Sequence, residues 1–294
     1  MTNWLRGTGV AIVTPFTTSG AVDYAALDRL VSHLIQGNVE YLVVLGTTGE
    51  AATLSAEEQD KVIKQVKEST QGRLPIVLGI GGNHTAAIVE KIQDWEKVYQ
   101  PDAILSVSPY YNKPTQEGIF QHYAALASAT NLPLILYNVP GRTASNMSAE
   151  TTLRLAQGFA NIVATKEASG NFEQCMHIMA EKPEGFQLIS GEDSIALPLM
   201  ALGATGVISV AANAIPGPFS DLVRAALAGD FEGARKLQYQ LLDLMNLNFV
   251  EGNPAGVKAL LAIQEICEKT VRLPLVEASA ALSQRMKQAW EKAF

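Results

Sequence analysis

The chain has 294 residues, 48% of them hydrophobic and 17% charged, with a formal net charge of −7. Such a composition supports a large core and excludes a disordered chain, and the length is routine for an α/β barrel. The acidic balance and the lack of any Lys/Arg cluster argue against a nucleic-acid partner.

The N-terminal stretch MTNWLRGTGV has no charged segment followed by an apolar one, so no secretory leader is expected, and no apolar run approaches the length of a bilayer span. Eight short, β-branched runs then recur: GVAIVTPF (9–16), YLVVLGTT (41–48), PIVLGIGG (75–82), AILSVSPYY (103–111), PLILYNVP (133–140), NIVATKEAS (161–169), FQLISGED (186–193) and GVISVAAN (206–213). They are apolar on both faces, as strands of a buried parallel sheet are. Between them the apolar spacing predicts helices over 23–36, 55–70, 85–98, 115–130, 148–157, 171–182 and 194–203. Ser55 followed by Glu58 reads as a capping box opening the second of these. A doubly wound open sheet would carry a glycine fingerprint after its first strand, and TPFTTSG offers none. The expected fold is therefore a (β/α)₈ barrel over 1–217. Residues 218–294 show no strand pattern and are expected to form a helical appendix, with amphipathic segments over 218–228, 230–250, 254–268 and 277–293. Within EGNPAG, Asn253 is the expected N-cap and Pro254 the first helical residue.

A barrel of this kind places its site at the C-terminal ends of the strands. Those ends are rich in hydroxyls, glycines and amides, with one lysine and one arginine. Lys166 closes the sixth run. An amine at that position, among apolar walls, suits nucleophilic attack on a ketone and formation of a Schiff base. The alternative is a lysine paired with a carboxylate or reaching to solvent. Tyr137 ends the preceding run and could relay protons beside Lys166, or simply pack with its hydroxyl on backbone. GTTGE (46–50) reads as a backbone nest for a carboxylate, since no P-loop lysine follows it. Arg142 in YNVPGR could clamp a second carboxylate, or form a surface ion pair. Glu50, Glu167 and Glu192 also lie near strand ends. The histidines at 33, 84, 122 and 177 lack ligand spacing, so no metal is expected. Cys175 and Cys267 form no C-x-x-C pair and read as structural thiols of a reducing, cytoplasmic compartment.

Taken together, GTTGE, SPYYNKPTQEG, YNVPGRT, KEASGN, SGED and GVISVAAN resemble the dihydrodipicolinate synthase family, one of the class I pyruvate aldolases that include N-acetylneuraminate lyase. The resemblance runs over essentially the whole chain. It implies a homotetrameric barrel, built as a dimer of dimers, that needs no cofactor. Such an enzyme condenses pyruvate with L-aspartate 4-semialdehyde on the way to diaminopimelate and lysine. Carried over by motif, Lys166 would form the Schiff base and Tyr137 would exchange protons beside it. Thr47 and Tyr111 would complete a relay, with Tyr111 reaching in from a neighbouring subunit. Thr48 and the GTTGE amides would hold the pyruvate carboxylate and Arg142 that of the semialdehyde. Gly191, Glu192 and the backbone of Ile208 would line the pocket. A sugar-acid or sialic-acid aldolase would share the lysine, tyrosine and nest; Arg142 favours the small carboxylated aldehyde. A non-catalytic barrel should have lost part of this set.

Two departures stand out. Glu192 replaces an aspartate common in the family. Where lysine-inhibited members carry polar residues, this chain has Ala51, Ala52, Ala56, Gln59 and Ala87, with Asn83 and Tyr110 retained. Small apolar side chains cannot hold a zwitterion, so weak or absent inhibition by lysine is expected.

Overall fold

The computed structural model describes residues 2–294. All eight apolar runs form strands: β1 (Gly7–Ala11), β2 (Tyr41–Val44), β3 (Ile76–Gly79), β4 (Ala103–Val107), β5 (Leu134–Asn138), β6 (Ile162–Glu167), β7 (Gln187–Ser190) and β8 (Gly206–Ser209). They pair in parallel in chain order, and β8 returns to β1, closing a barrel. Alternation along each strand explains their two-sided apolarity. Tyr41, Val43, Val77, Leu105, Ile135 and Ile189 fill the interior. Leu42, Val44, Leu78, Ile104, Leu136 and Leu188 face the surrounding helices.

Those helices are α1 (Tyr24–Gln36), α2 (Ala56–Thr70), α3 (Thr85–Tyr99), α4 (Gln116–Ser128), the short α5 (Pro140–Thr143), α6 (Ala149–Gly158), α7 (Phe172–Glu181) and α8 (Ala196–Ala201). The predicted capping box opens α2: Ser55 Oγ accepts from Glu58 N at 3.2 Å, and Glu58 Oε2 from Ser55 N at 2.9 Å. Helix α9 (Pro216–Leu227) packs on β8, β1 and α1 and so completes the outer layer. Residue 217 lies inside it, so the division expected there runs through a helix.

Three helices follow: α10 (Phe231–Leu247), α11 (Ala255–Ile263) and α12 (Ala280–Ala293), with α12 packed on both others. Asn253 is not the cap of α11. Pro254 takes the cap position and the helix begins at Ala255. The Asn253 side chain meets a buried threonine hydroxyl at the barrel mouth instead of helix N–H groups. Lys258 of α11 reaches the same turn and pairs with Glu50 at 2.6 Å, both side chains excluded from solvent.

Candidate active site

The strand ends surround a cavity of about 610 Å³ at the C-terminal mouth. Lys166, Tyr137, Thr47, Thr48, Arg142, Gly191 and Glu192 all line it. Residues Tyr137 and Lys166 are register partners on β5 and β6. Parallel pairing therefore puts both side chains on the inner face at one height. The Lys166 ammonium lies 4.2 Å from the centre of the Tyr137 ring, and the two residues are only 5% and 8% exposed. No carboxylate pairs with Lys166 among the described residues.

Glu167 follows Lys166 and so faces outward, where it organises the Arg142 loop. Its carboxylate accepts from Asn138 Nδ2 at 3.0 Å, Gln174 Nε2 at 2.9 Å and Ser169 N at 2.9 Å. Asn138 in turn accepts from Met147 N at 3.0 Å and donates to Asn146 Oδ1 at 2.8 Å. Burial pushes the Glu167 carboxyl upward, against these hydrogen bonds. The network closes the loop over 139–147 and sets α5, with exposed Arg142, on the cavity wall.

The GTTGE turn has a defined donor set. The N–H groups of Gly49 and Glu50 are held within the turn by the carbonyls of Gly46 and Thr47, both at 3.1 Å. Those of Thr47 and Thr48 have no partner among the described residues, so these two form the open part of the nest. Gly191 lies where β7 leaves the barrel. A Cβ there would come within 2.6 Å of Ala168 Cβ, so only glycine fits beside the chain leaving Lys166.

Two expected residues stand apart. Ile208 is fully buried in the barrel interior and does not line the cavity; Val210, two residues on, does. Tyr111 is 87% exposed on a loop with φ of +73° and lies outside the cavity of its own chain.

The sequence matches the dihydrodipicolinate synthetase family over residues 5–293. The chain belongs to that family. It is 54% identical, over 92% of its length and 91% of the relative's, to a protein of Parabacteroides distasonis named 4-hydroxy-tetrahydrodipicolinate synthase. Its fold is similar to the dihydrodipicolinate synthase of Thermotoga maritima, with a TM-score of 0.95 at 37% identity, covering 98% of each chain. It is likewise similar to the chloride-inhibited enzyme of Acinetobacter baumannii, solved in complex with pyruvate, with a TM-score of 0.94 at 41% identity and 98% of each chain covered.

Sequence reasoning missed Asp193, Asn246, Phe249 and Asn253, which also line the cavity. Asp193 is buried, and its Oδ2 accepts from Val210 N at 3.1 Å and Ala211 N at 2.8 Å. Burial pushes its carboxyl upward, while those N–H groups and the Lys166 charge act the other way. The acidic pair in SGED was its only sequence signal. Asn246, Phe249 and Asn253 come from the appendix, whose approach to the mouth no periodicity reveals. Both cysteines are buried and free, and burial pushes the thiols up to about 12 for Cys175 and about 11 for Cys267.

Proposed function

We propose that this chain catalyses the condensation of pyruvate with L-aspartate 4-semialdehyde through a Schiff base on Lys166. The observation that carries the reading is a buried lysine, free of any carboxylate partner among the described residues, 4.2 Å from the Tyr137 ring in an open cavity. The Lys166 Nζ attacks the pyruvate carbonyl carbon, and loss of water leaves the imine. A methyl proton then departs, giving an enamine whose carbon attacks the aldehyde. The semialdehyde's own amino group displaces Lys166 from the former carbonyl carbon, closing the ring and freeing the enzyme. Tyr137 passes protons in these steps, with Thr47 and Tyr111 of a second copy as its relay.

Anion recognition divides between two places. The open N–H groups of Thr47 and Thr48, with the Thr48 hydroxyl, take the pyruvate carboxylate. Arg142 takes that of the semialdehyde, with Gly191, Glu192 and Val210 bounding the space. This separation supports a small carboxylated aldehyde over a sugar acid. The need for Tyr111 from a second copy makes the working unit at least a dimer, and the proposed assembly is a dimer of dimers. Two free cysteines support a reducing, cytoplasmic setting.

The deciding experiment is intact mass after incubation with pyruvate and borohydride, followed by peptide mapping. One pyruvate-derived adduct on Lys166, lost in Lys166→Ala, is expected. A folded protein that takes no adduct overturns the reading.

A further inference from the structure

The C-terminal appendix grips the GTTGE turn at two points. At the far end Lys258 Nζ meets Glu50 Oε1 at 2.6 Å. At the near end Asn253 Nδ2 donates to Thr48 Oγ1 at 2.9 Å, a contact between residues 205 apart in sequence. Both partners are buried, Asn253 at 7% and Thr48 at 3% exposure, and both line the cavity. Among the described residues Thr48 Oγ1 has no other side-chain or backbone partner.

We propose that Asn253 is a positioning residue for the keto acid, holding the Thr48 hydroxyl so that it donates to the substrate carboxylate. The inference rests on the assignment of Thr48 to that carboxylate. An amide NH₂ can only donate, whereas a hydroxyl both donates and accepts. Because Asn253 occupies a lone pair of Thr48 Oγ1, the hydroxyl proton must point elsewhere. No protein acceptor takes that proton among the described residues, so it is available to an anion in the nest. Without Asn253 the hydroxyl is free to turn its proton toward a backbone carbonyl, and the nest loses an aligned donor. The Lys258–Glu50 pair lies five positions along the same segment and fixes the height at which Asn253 meets the turn, so the donor is aligned before substrate arrives.

The test is a double-mutant cycle on the full chain with pyruvate as the varied substrate, read by steady-state kinetics and by borohydride trapping. Asn253→Ala should raise the pyruvate KM about tenfold while kcat stays within about twofold, the pattern of lost ground-state binding. Asn253→Leu, which keeps the side-chain volume, should do the same and carries the test if the alanine variant fails to fold. Neither change should add to the KM of Thr48→Val, because the hydroxyl they act through is gone. An unchanged KM, or a full increment persisting in the Thr48→Val background, overturns the proposal. Absence of any pyruvate adduct on the wild type would instead overturn the Schiff-base reading. An adduct on the wild type with a KM indifferent to residue 253 removes only the role given to Asn253.

Discussion

Glu50 and Lys258 form an ion pair shut off from solvent, joining the turn after β2 to a helix 208 positions further along the chain. Charges in such a place are tolerated only when every lone pair and proton finds a partner. Here Glu50 Oε2 accepts from Arg272 N at 2.9 Å, Lys258 Nζ donates to Thr270 O at 2.9 Å, and the ammonium sits 4.1 Å from the Phe16 ring centre. Burial pushes the Lys258 ammonium downward, and Glu50 opposes the shift. Lys258→Met should therefore cost about 3–5 kcal/mol by leaving a carboxylate buried alone. The double change Glu50→Gln, Lys258→Met should recover part of that loss, because a neutral amide oxygen can still accept from the Arg272 N–H. Urea unfolding of the wild type and these two variants checks both.

Tyr111 gives a test that separates subunit exchange from simple loss of a side chain. Tyr111→Phe should lower turnover on the order of 10²-fold while leaving the pyruvate imine trappable. Lys166→Ala should have neither turnover nor adduct. Mixed after dissociation and reassembly, the two inactive chains should regain activity. In the mixed dimer one site joins an intact Lys166 to the partner's intact tyrosine. Mixtures that stay inactive would show that Tyr111 does not act across an interface.

Lysine should bind with a Kd above about 1 mM, leaving turnover unchanged at lower concentrations. Ala51, Ala52, Ala56 and Ala87 supply no side-chain donor or acceptor. The one polar side chain among the replaced positions, Gln59, is already engaged: its Nε2 donates to Ala51 O and Leu54 O, both at 3.1 Å, and its Oε1 accepts from Lys91 Nζ at 2.9 Å. Titration calorimetry decides the matter, and submillimolar binding would refute it.

His122 predicts an acid-sensitive stability. It is buried on α4 with Nδ1 2.9 Å from Thr85 Oγ1, and burial pushes it down to about 4. An unfolded histidine takes its proton near 6.5. The stabilisation is therefore complete above about 6.5 and is lost as pH falls toward 4, because the unfolded chain binds the proton first. Between pH 7.5 and 5.0 this group should remove about 2 kcal/mol. His122→Gln should flatten that part of the urea midpoint against pH.

The barrel was legible because its strands are buried on both sides, which writes each as an unbroken apolar run. Lys166 interrupts such a run, and Tyr137 sits at the matching end of its neighbour; their adjacency follows from parallel register alone. The expected cap at Asn253 fails for a physical reason. An Asn–Pro pair before a helical pattern satisfies the local capping rule equally well whether the amide caps the helix or bonds a residue 205 positions away. Only the path of the appendix decides between them. Ile208 comes from the family resemblance, and for its backbone alone; the cavity wall beyond β8 is reached by Val210.

The grip of the appendix on the GTTGE turn also sets an order of events during synthesis. All eight strands have been made once Ser209 is in the chain, while α9, which completes the outer layer, has not. At that moment Glu50 still lacks Lys258 and the Arg272 amide, and Thr48 still lacks Asn253. At about 5–20 residues per second, the ribosome needs a few more seconds to supply them. A nascent chain thus passes through an interval in which every strand has been made but the carboxylate nest is not yet braced.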